Sequence, residues 1–131
     1  MMVRAGQAVD EVLTVLTRRL SPGDVVMDGG NSFFRDTERR MQNMEKLGIN
    51  YFGVGVSGGA EGALRGPCLM VGGPEDAYGL VESILTKIAA QLEDGPCCSH
   101  LGPGGAGHLT KMVHNGIEYA FLQLIAEGYD I

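Results

Sequence analysis

The most chemically suggestive part of this sequence is a group of polar side chains near its carboxyl end that recur at helical spacing. An α-helix turns about 100° per residue, so residues three, four and seven apart share one face. One face of the predicted helix therefore carries Lys111, His114, Asn115 and Glu118, with Tyr119 and His108 at its edge. These side chains transfer protons and form hydrogen bonds, and a rigid helix holds such groups in fixed positions.

This face has two interpretations. Lysine and glutamate at helical spacing are typical of a solvated surface. Alternatively, Lys111 and Glu118 lie two turns apart, roughly 10 Å along the axis, and could act on opposite ends of a substrate a few carbons long. The opposite face is apolar, which predicts that it packs against a core. Its residues are Leu109, Val113, Ile117, Ala120, Phe121 and Leu124.

Composition excludes several classes of function. The chain has 131 residues, of which 44% are hydrophobic and 20% are charged, as expected for a small globular protein with a core. A net charge of −6 argues against an extended nucleic-acid surface. No apolar run is long enough to span a membrane, and the first residues lack the apolar core of a signal peptide.

The three cysteines do not form the pattern of a disulfide framework. Cys97 and Cys98 are adjacent and Cys68 stands alone, which favours the reducing cytoplasm. Together with His100 and His108 they include the residue types that bind zinc, but their spacing matches no standard ligand pattern. We therefore expect no metal site.

Alternating helical and extended patterns predict an α/β fold with a mainly parallel sheet. In such sheets ligands bind outside the carboxyl ends of the strands, where two glycine-rich loops occur here, at residues 29–32 and 57–59. The predicted helices are 5–20, 33–47 and 75–91. The predicted strands are 25–27, 49–56, 68–71 and 96–101, and a long helix follows the glycine-rich turn at 104–107.

The dinucleotide pattern G-x-G-x-x-G occurs twice, at residues 53–58 and 102–107. The first match follows a strand, but glycines and a proline break the chain beyond it too often for a long helix. The second opens a long helix, but the acidic residue about 20 positions further on, Glu127, falls within that same helix. Neither match is therefore interpreted as a pyrophosphate site.

Three motifs resemble the β-hydroxyacid dehydrogenases, and among them most closely the decarboxylating 6-phosphogluconate dehydrogenases. They are Asp-Gly-Gly-Asn-Ser at 28–32, Val-Ser-Gly-Gly-Ala-Glu-Gly-Ala at 56–63, and the stretch 105–119. The wider family shares the Ser-Gly-Gly loop and the Lys-x-x-x-Asn spacing. The stretch His-Asn-Gly-Ile-Glu-Tyr, at 114–119, is specific to the phosphogluconate enzymes. The likeness covers essentially the whole chain.

The resemblance implies the C-terminal part of a Rossmann-like doubly wound parallel sheet, followed by the first long helix of an all-α domain. Residues 1–103 would belong to a partial NADP-binding domain, and residues 104–131 would begin a helical catalytic and dimerisation domain. The chain looks like an internal fragment that lacks the glycine-rich unit preceding it in the family. We expect these 131 residues to be inactive alone and to expose apolar residues of the long helix that the helical domain would partly cover, namely Leu109, Val113, Ile117, Phe121 and Leu124. We expect the full-length protein to be a cytoplasmic homodimer.

The implied activity is NADP-dependent oxidative decarboxylation of 6-phosphogluconate to ribulose 5-phosphate, in the pentose phosphate pathway. Lys111 resembles the base that takes the proton of the 3-hydroxyl, and Glu118 resembles the acid that protonates C1 after carbon dioxide leaves. The matching substrate-binding positions are Asn31, Ser57, Gly58, Gly59, His114, Asn115 and Tyr119. The matching cofactor contacts are Val3, Arg4, Ala5 and Asn31, with Arg4 standing where the family commonly has lysine.

Some alternatives stay open. The glycine loop at 57–59 is either a structural turn or a carboxylate-binding loop, and Asn31 is either a helix cap or a ligand. A non-decarboxylating β-hydroxyacid dehydrogenase is a second enzyme class, although Glu118 argues against it. A remnant without catalysis is a third reading. The sequence does not separate NADP from NAD.

Overall fold

A computed structural model describes residues 1–130. It contains one four-stranded sheet with helices on both faces and a small hairpin at one end. The helices are α1 (Gln7–Leu16), α2 (Phe34–Glu45), α3 (Gly59–Arg65), α4 (Glu75–Ile88) and α5 (Ala106–Tyr129). The strands are β1 (Val25–Asp28), β2 (Asn50–Ser57), β3 (Cys68–Gly72), β4 (Gln91–Leu92), β5 (Gly95–Pro96) and β6 (Cys98–Gly102).

The main sheet has the strand order β1-β2-β3-β6, and the predicted α/β class is confirmed. The β1–β2 and β3–β6 pairs are parallel, whereas β2 and β3 run antiparallel, with Gly53 opposite Gly72 and Ser57 opposite Cys68. The connection from β2 to β3 contains only the short helix α3, and a parallel return requires a longer crossover. The sheet is therefore mixed, although parallel pairs predominate.

Successive side chains of a strand point to opposite faces, so the sheet separates two apolar clusters. Phe52 and Val54 of β2 pack towards α4, which contributes Val81 and Leu85. On the other face, Tyr51 of β2 joins the cluster formed by α1 and α2. The residues of that second cluster are Val9, Leu13, Val26, Met44, Ile49 and Tyr51.

A partly buried ion pair joins α1 to α2. The Arg40 guanidinium, whose side chain is 1% exposed, donates from Nε to Asp10 Oδ1 at 2.9 Å and from Nη2 to Asp10 Oδ2 at 2.9 Å. Arg40 Nη2 also donates to the Gly6 carbonyl at 2.9 Å. The hydrogen bond from Arg40 is the main reason that the pKa of Asp10 is lowered to about 2. This pair fixes the angle between the two helices on that face of the sheet.

Two sequence-based expectations about the elements were incomplete or wrong. The segment after the 57–59 loop forms α3, a short helix that its many glycines conceal. The helix predicted to reach Gln91 ends at Ile88, and Gln91 begins the hairpin of β4 and β5. None of the helices within residues 1–130 is long and apolar enough to cross a membrane.

The orientation of α5 contradicts one prediction and confirms another. Its apolar face does not pack against the core of the sheet but is exposed, as expected for these residues without the helical domain, with Val113 and Ile117 each more than half accessible. The face that meets the sheet carries His108 and Lys111 instead. The reason is that the opposing strand surface is lined by glycines, which admit the backbone of α5 rather than its large apolar side chains.

Candidate functional site

The first turns of α5 lie almost in contact with the backbone of β2 and β3. A side-chain carbon added at Gly55 would come within 2.5 Å of Lys111 Cβ and 2.8 Å of the Gly107 carbonyl oxygen. One added at Gly53 would lie 2.9 Å from His108 Nδ1. Glycine is therefore required at these strand positions for α5 to come so close. As a result Lys111, at 7% exposure, is held against the sheet.

The Lys111 amine reaches the end of β2. Its Nζ donates a hydrogen bond to Ser57 Oγ at 2.9 Å. The loop that follows bends through Gly58 and Gly59, whose φ angles of 133° and 57° lie in the region that favours glycine. A side chain at Gly58 would also collide with Gly62 in the first turn of α3. The glycines thus shape a tight loop with exposed backbone beside the amine.

A buried carboxylate shapes the loop after β1. Asp28 is fully buried and accepts hydrogen bonds from Ser32 Oγ at 2.6 Å, from Tyr51 Oη at 3.2 Å and from the Gly30 amide at 3.1 Å. Burial, followed by the negative charge of Asp28, raises the pKa of Tyr51, so the phenol remains a donor. The loop presents Asn31 at its exposed tip. Asp28 therefore acts as the anchor for Asn31.

His108 connects this loop region to α5. Its Nδ1 is hydrogen bonded to Thr37 Oγ1 of α2 at 2.7 Å, and the ring is 1% exposed. Burial lowers the pKa of His108, so its imidazole is neutral near neutral pH. Its Nε2 is buried and has no hydrogen-bond partner among residues 1–130. Because His108 lies three residues before Lys111, both side chains point to the same side of α5.

A cavity of about 200 Å³ lies between the β1 loop and α5. It combines amide, amine and imidazole groups with apolar surface from Phe33 and Met112. Three of the residues singled out in the sequence, Asn31, Lys111 and Asn115, meet here. The full lining is Asn31, Ser32, Phe33, His108, Lys111, Met112 and Asn115.

The remaining polar residues of α5 lie outside this cavity. His114 Nδ1 is 3.7 Å from Glu118 Oε2, and both side chains are about half exposed. They border a separate open groove of about 390 Å³ together with apolar residues of the same helix, including Phe121. Tyr119 is 71% exposed. The structure thus places Lys111 and Glu118 in different surroundings.

The amino-terminal segment runs beside the β1 loop. The Gly29 amide donates to the Met1 carbonyl at 2.9 Å, and a side-chain carbon at Gly30 would lie 2.9 Å from the Val3 carbonyl oxygen. Val3 is therefore adjacent to the loop that carries Asn31, and the exposed residues Arg4 and Ala5 follow directly. In the described part of the chain, no cluster of three or more histidine, cysteine or acidic side chains could hold a metal ion.

Sequence reasoning overlooked the residues that support the site. Asp28 was noted only as part of a motif, His108 only as lying at a helix edge, and Thr37 not at all. A single polar residue in an amphipathic helix resembles a surface residue, so Thr37 gave no signal. His108 did give one, because its spacing from Lys111 places the two on one face.

The sheet with helices on both faces and glycine loops at the ends of β1 and β2 defines a Rossmann-like nucleotide-binding domain. The family model described as the NAD binding domain of 6-phosphogluconate dehydrogenase matches residues 1–102. A second model, the C-terminal domain of 6-phosphogluconate dehydrogenase, matches residues 107–131. The chain belongs to the 6-phosphogluconate dehydrogenase family.

Individual relatives agree with this assignment. The chain is 59% identical over 130 residues to a decarboxylating 6-phosphogluconate dehydrogenase of Synechococcus elongatus, covering 99% of this chain and 28% of the relative. It is 60% identical over 129 residues to the NAD(+)-dependent decarboxylating enzyme of Bacillus subtilis, covering 98% of this chain and 28% of the relative. The chain therefore spans little more than a quarter of the length of these relatives.

A solved structure gives the same result for the fold. The 6-phosphogluconate dehydrogenase of Plasmodium falciparum, studied in its apo form and in complexes with NADP+ and with 6-phosphogluconate, superposes with a TM-score of 0.92. Its sequence identity is 43%, and the match covers 98% of this chain and 27% of that protein.

Proposed function

We propose that this chain supplies part of the active site of a decarboxylating 6-phosphogluconate dehydrogenase. The reaction oxidises 6-phospho-D-gluconate to D-ribulose 5-phosphate and carbon dioxide while reducing NADP+. The observation that carries the proposal is the hydrogen bond from the buried Lys111 amine to Ser57, beside the loop bearing Asn31. Two relatives that are named as decarboxylating 6-phosphogluconate dehydrogenases, and that are 59% and 60% identical to this chain, support the proposal.

In this proposal Lys111 is the general base. A neutral amine can take the proton from the 3-hydroxyl of the substrate as the carbon–hydrogen bond at C3 is broken. Ser57 Oγ orients the amine, because it accepts the hydrogen bond from Nζ at 2.9 Å. The Lys111 side chain is only 7% exposed, and its packing against the sheet keeps the amine in one position.

Glu118 is the proposed acid for the later proton transfer to C1 of the enediol. Its carboxyl lies seven residues beyond Lys111, roughly 10 Å along α5, and therefore reaches a different carbon of the substrate. His114 Nδ1 lies 3.7 Å from Glu118 Oε2, which is beyond hydrogen-bond distance but close enough for an ion pair when the imidazole is protonated.

We assign substrate binding to groups around these two residues. The backbone amides of Gly58 and Gly59 are accessible to a carboxylate because no side chain covers them. The amides of Asn31 and Asn115 offer both donors and acceptors for sugar hydroxyls. The remaining proposed contacts are Ser57, His114 and Tyr119.

The cavity also suits a nicotinamide group, which accepts the hydride in this reaction. Phe33 and Met112 provide apolar surface for a ring, and the exposed Asn31 amide provides a polar partner at the edge of the cavity. Val3, Arg4 and Ala5 are proposed to contact the cofactor from the segment beside the loop. NADP is proposed because the Plasmodium falciparum protein was solved with NADP+, although the Bacillus subtilis relative is NAD(+)-dependent.

Three further proposals concern organisation. A domain division near residue 103 is supported by the two family models, which meet between residues 102 and 107. A homodimer is supported by the exposed apolar face of α5, since such faces favour association. Three free thiols suit the reducing conditions of a cytoplasm.

The test is a chimera in which this chain replaces the matching 130 residues of the Synechococcus elongatus relative. We expect the chimera to reduce NADP+, and less readily NAD+, when given 6-phosphogluconate. Lys111→Met should lower this rate by a factor of about 100 to 10,000. Lys87→Met, which removes an exposed lysine from α4, is the matched control and should leave the rate unchanged.

Glu118→Gln separates the two proton transfers in the same chimera. The amide keeps the hydrogen-bonding shape of the carboxyl but has no acidic proton to donate. We expect a larger loss in the incorporation of solvent hydrogen at product C1 than in nicotinamide reduction. A folded chimera without 6-phosphogluconate oxidation, or one in which Lys111→Met is fully active, would contradict the proposed function.

A further inference from the structure

Two of the three thiols lie side by side next to the candidate site. Cys68 is opposite Ser57 in the antiparallel β2–β3 pair, so both side chains point to the face covered by α5. In the neighbouring parallel pair, Leu69 is opposite Cys98, which places Cys68 beside Cys97. The Leu69 amide donates to the Cys97 carbonyl at 2.8 Å, which holds this register.

The third thiol points the other way. Cys98 packs against the apolar cluster beneath α4, and its Sγ lies 3.9 Å from Tyr78 Oη. Because successive residues of an extended chain point to opposite faces, Cys97 shares its face with Cys68 rather than with Cys98. The fold therefore places the sulfurs of Cys68 and Cys97 on one face of the sheet and the sulfur of Cys98 on the other face.

We propose that Cys68 and Cys97 form an oxidative modification site, at which a hydroperoxide converts the two thiols into an intramolecular disulfide. Neighbouring strands are about 4.8 Å apart, and disulfides join Cα atoms about 4.4–6.8 Å apart, so the backbone can remain in place. Neither side chain is fully buried, so a small oxidant has access. This inference rests on the register of the strands and is independent of the proposed catalytic function.

The reaction balances as a two-electron oxidation. The Cys97 thiolate attacks one peroxide oxygen, which forms a sulfur–oxygen bond, breaks the oxygen–oxygen bond and releases an alcohol or water. The Cys68 thiol then attacks the sulfur of the Cys97 sulfenic acid, losing its proton as the disulfide forms, and the expelled hydroxide takes up a proton and leaves as water. One hydroperoxide is reduced and two thiols are oxidised.

The order of these two steps follows from the surroundings of Cys68. Burial first, and then the neighbouring Cys97 thiol, raise the pKa of Cys68 to about 11, while the charge of Lys111 opposes this shift. Little Cys68 thiolate is therefore present near neutral pH, so the first attack is assigned to Cys97. The influence of Lys111 also indicates that the disulfide would form next to the amine held by Ser57.

The experiment compares folded and unfolded protein. In an unfolded chain the Cys68–Cys97 and Cys68–Cys98 loops differ by a single residue, so their closure entropies are nearly equal and the two disulfides should form in a ratio of about 1:1. In the folded protein we expect Cys68–Cys97 to predominate at least tenfold. The 131-residue chain is treated with hydrogen peroxide, with and without denaturant, and the disulfides are identified by peptide mass mapping.

Matched variants complete the test. At the same dose of peroxide, Cys98→Ser should lose both of its remaining thiols to the disulfide. Cys97→Ser and Cys68→Ser should each retain two thiols, apart from slow oxidation to sulfenic acid. A mixture of about 1:1 from the folded protein, predominance of Cys68–Cys98, or no disulfide in the folded Cys98→Ser variant would overturn the proposal.

Discussion

The close approach of α5 to the sheet makes Gly55→Ala the most informative substitution for the architecture of the site. The added methyl carbon would lie 2.5 Å from Lys111 Cβ and 2.8 Å from the Gly107 carbonyl oxygen. Ordinary contacts between such atoms are 3.4 Å or longer, so α5 must withdraw by roughly 1 Å. Neither neighbour is the flexible end of a side chain, and a close-packed interior does not absorb such a shift freely.

The expected cost follows from overpacking. Adding a methyl group to a well-packed contact typically destabilises a protein by about 1–3 kcal/mol. We expect the free energy of unfolding to fall by that amount, as measured by urea denaturation followed by circular dichroism. The hydrogen bond from Lys111 to Ser57 should weaken as well, since α5 carries the amine away from β2.

Gly79→Ala is the control. Gly79 lies inside α4 with open space where its side chain would project, so alanine meets nothing and removes backbone freedom from the unfolded chain. This variant should gain about 0.5–1 kcal/mol of stability. If Gly55→Ala is as stable as the unchanged protein while Gly79→Ala behaves as expected, the packing of α5 on β2 is not as described.

Two further predictions concern other parts of the chain. The hydrogen bond from Arg40 lowers the pKa of Asp10 from 3.8 to about 2 in the folded protein. The stability that this pair contributes is therefore fully present at pH values above the pKa of Asp10 in the unfolded chain, and it is lost as the pH falls from about 4 towards 2. Because the Asp10 side chain is 38% exposed, solvent screening limits the loss to about 1 kcal/mol, and thermal unfolding of Asp10→Asn should lack this step. In α5, the amides of residues 116–129 should exchange hydrogen faster than those of residues 108–112, because only the first turns pack on the sheet. Uniform protection along α5, measured by mass spectrometry, would contradict this.

The sequence predicted some elements well because their signals are local. The apolar runs before the two glycine loops located β1 and β2 to within about one residue at each end. The helix α3 was overlooked because glycine has low helical propensity and masks the pattern. The antiparallel turn between β2 and β3 was overlooked because an apolar run does not specify the direction of its neighbour.

The face of α5 that meets the sheet could not be read from the sequence by periodicity. Hydrophobic periodicity reports which face of a helix is apolar, and it assumes that the opposing surface is apolar too. Here the opposing surface is formed by Gly53, Gly55 and Gly72, which are separated from α5 in sequence. The proximity of Lys111 to Ser57 was therefore implied by the family resemblance and not by spacing.

The same glycines explain how one helix can carry two proton-transfer groups in unlike surroundings. Gly53 and Gly72 lie opposite each other in the sheet, and a side-chain carbon at Gly107 would collide with the Gly53 carbonyl oxygen and the Gly72 amide nitrogen. This contact presses only the first turns of α5 onto the strands, which buries Lys111 and holds its amine against Ser57. Two turns later the helix has left the strand surface, so Glu118 stands in an open groove with His114. The proposed base is thus held in one orientation while the proposed acid lies away from the strands, because the distance of α5 from the sheet changes along the helix.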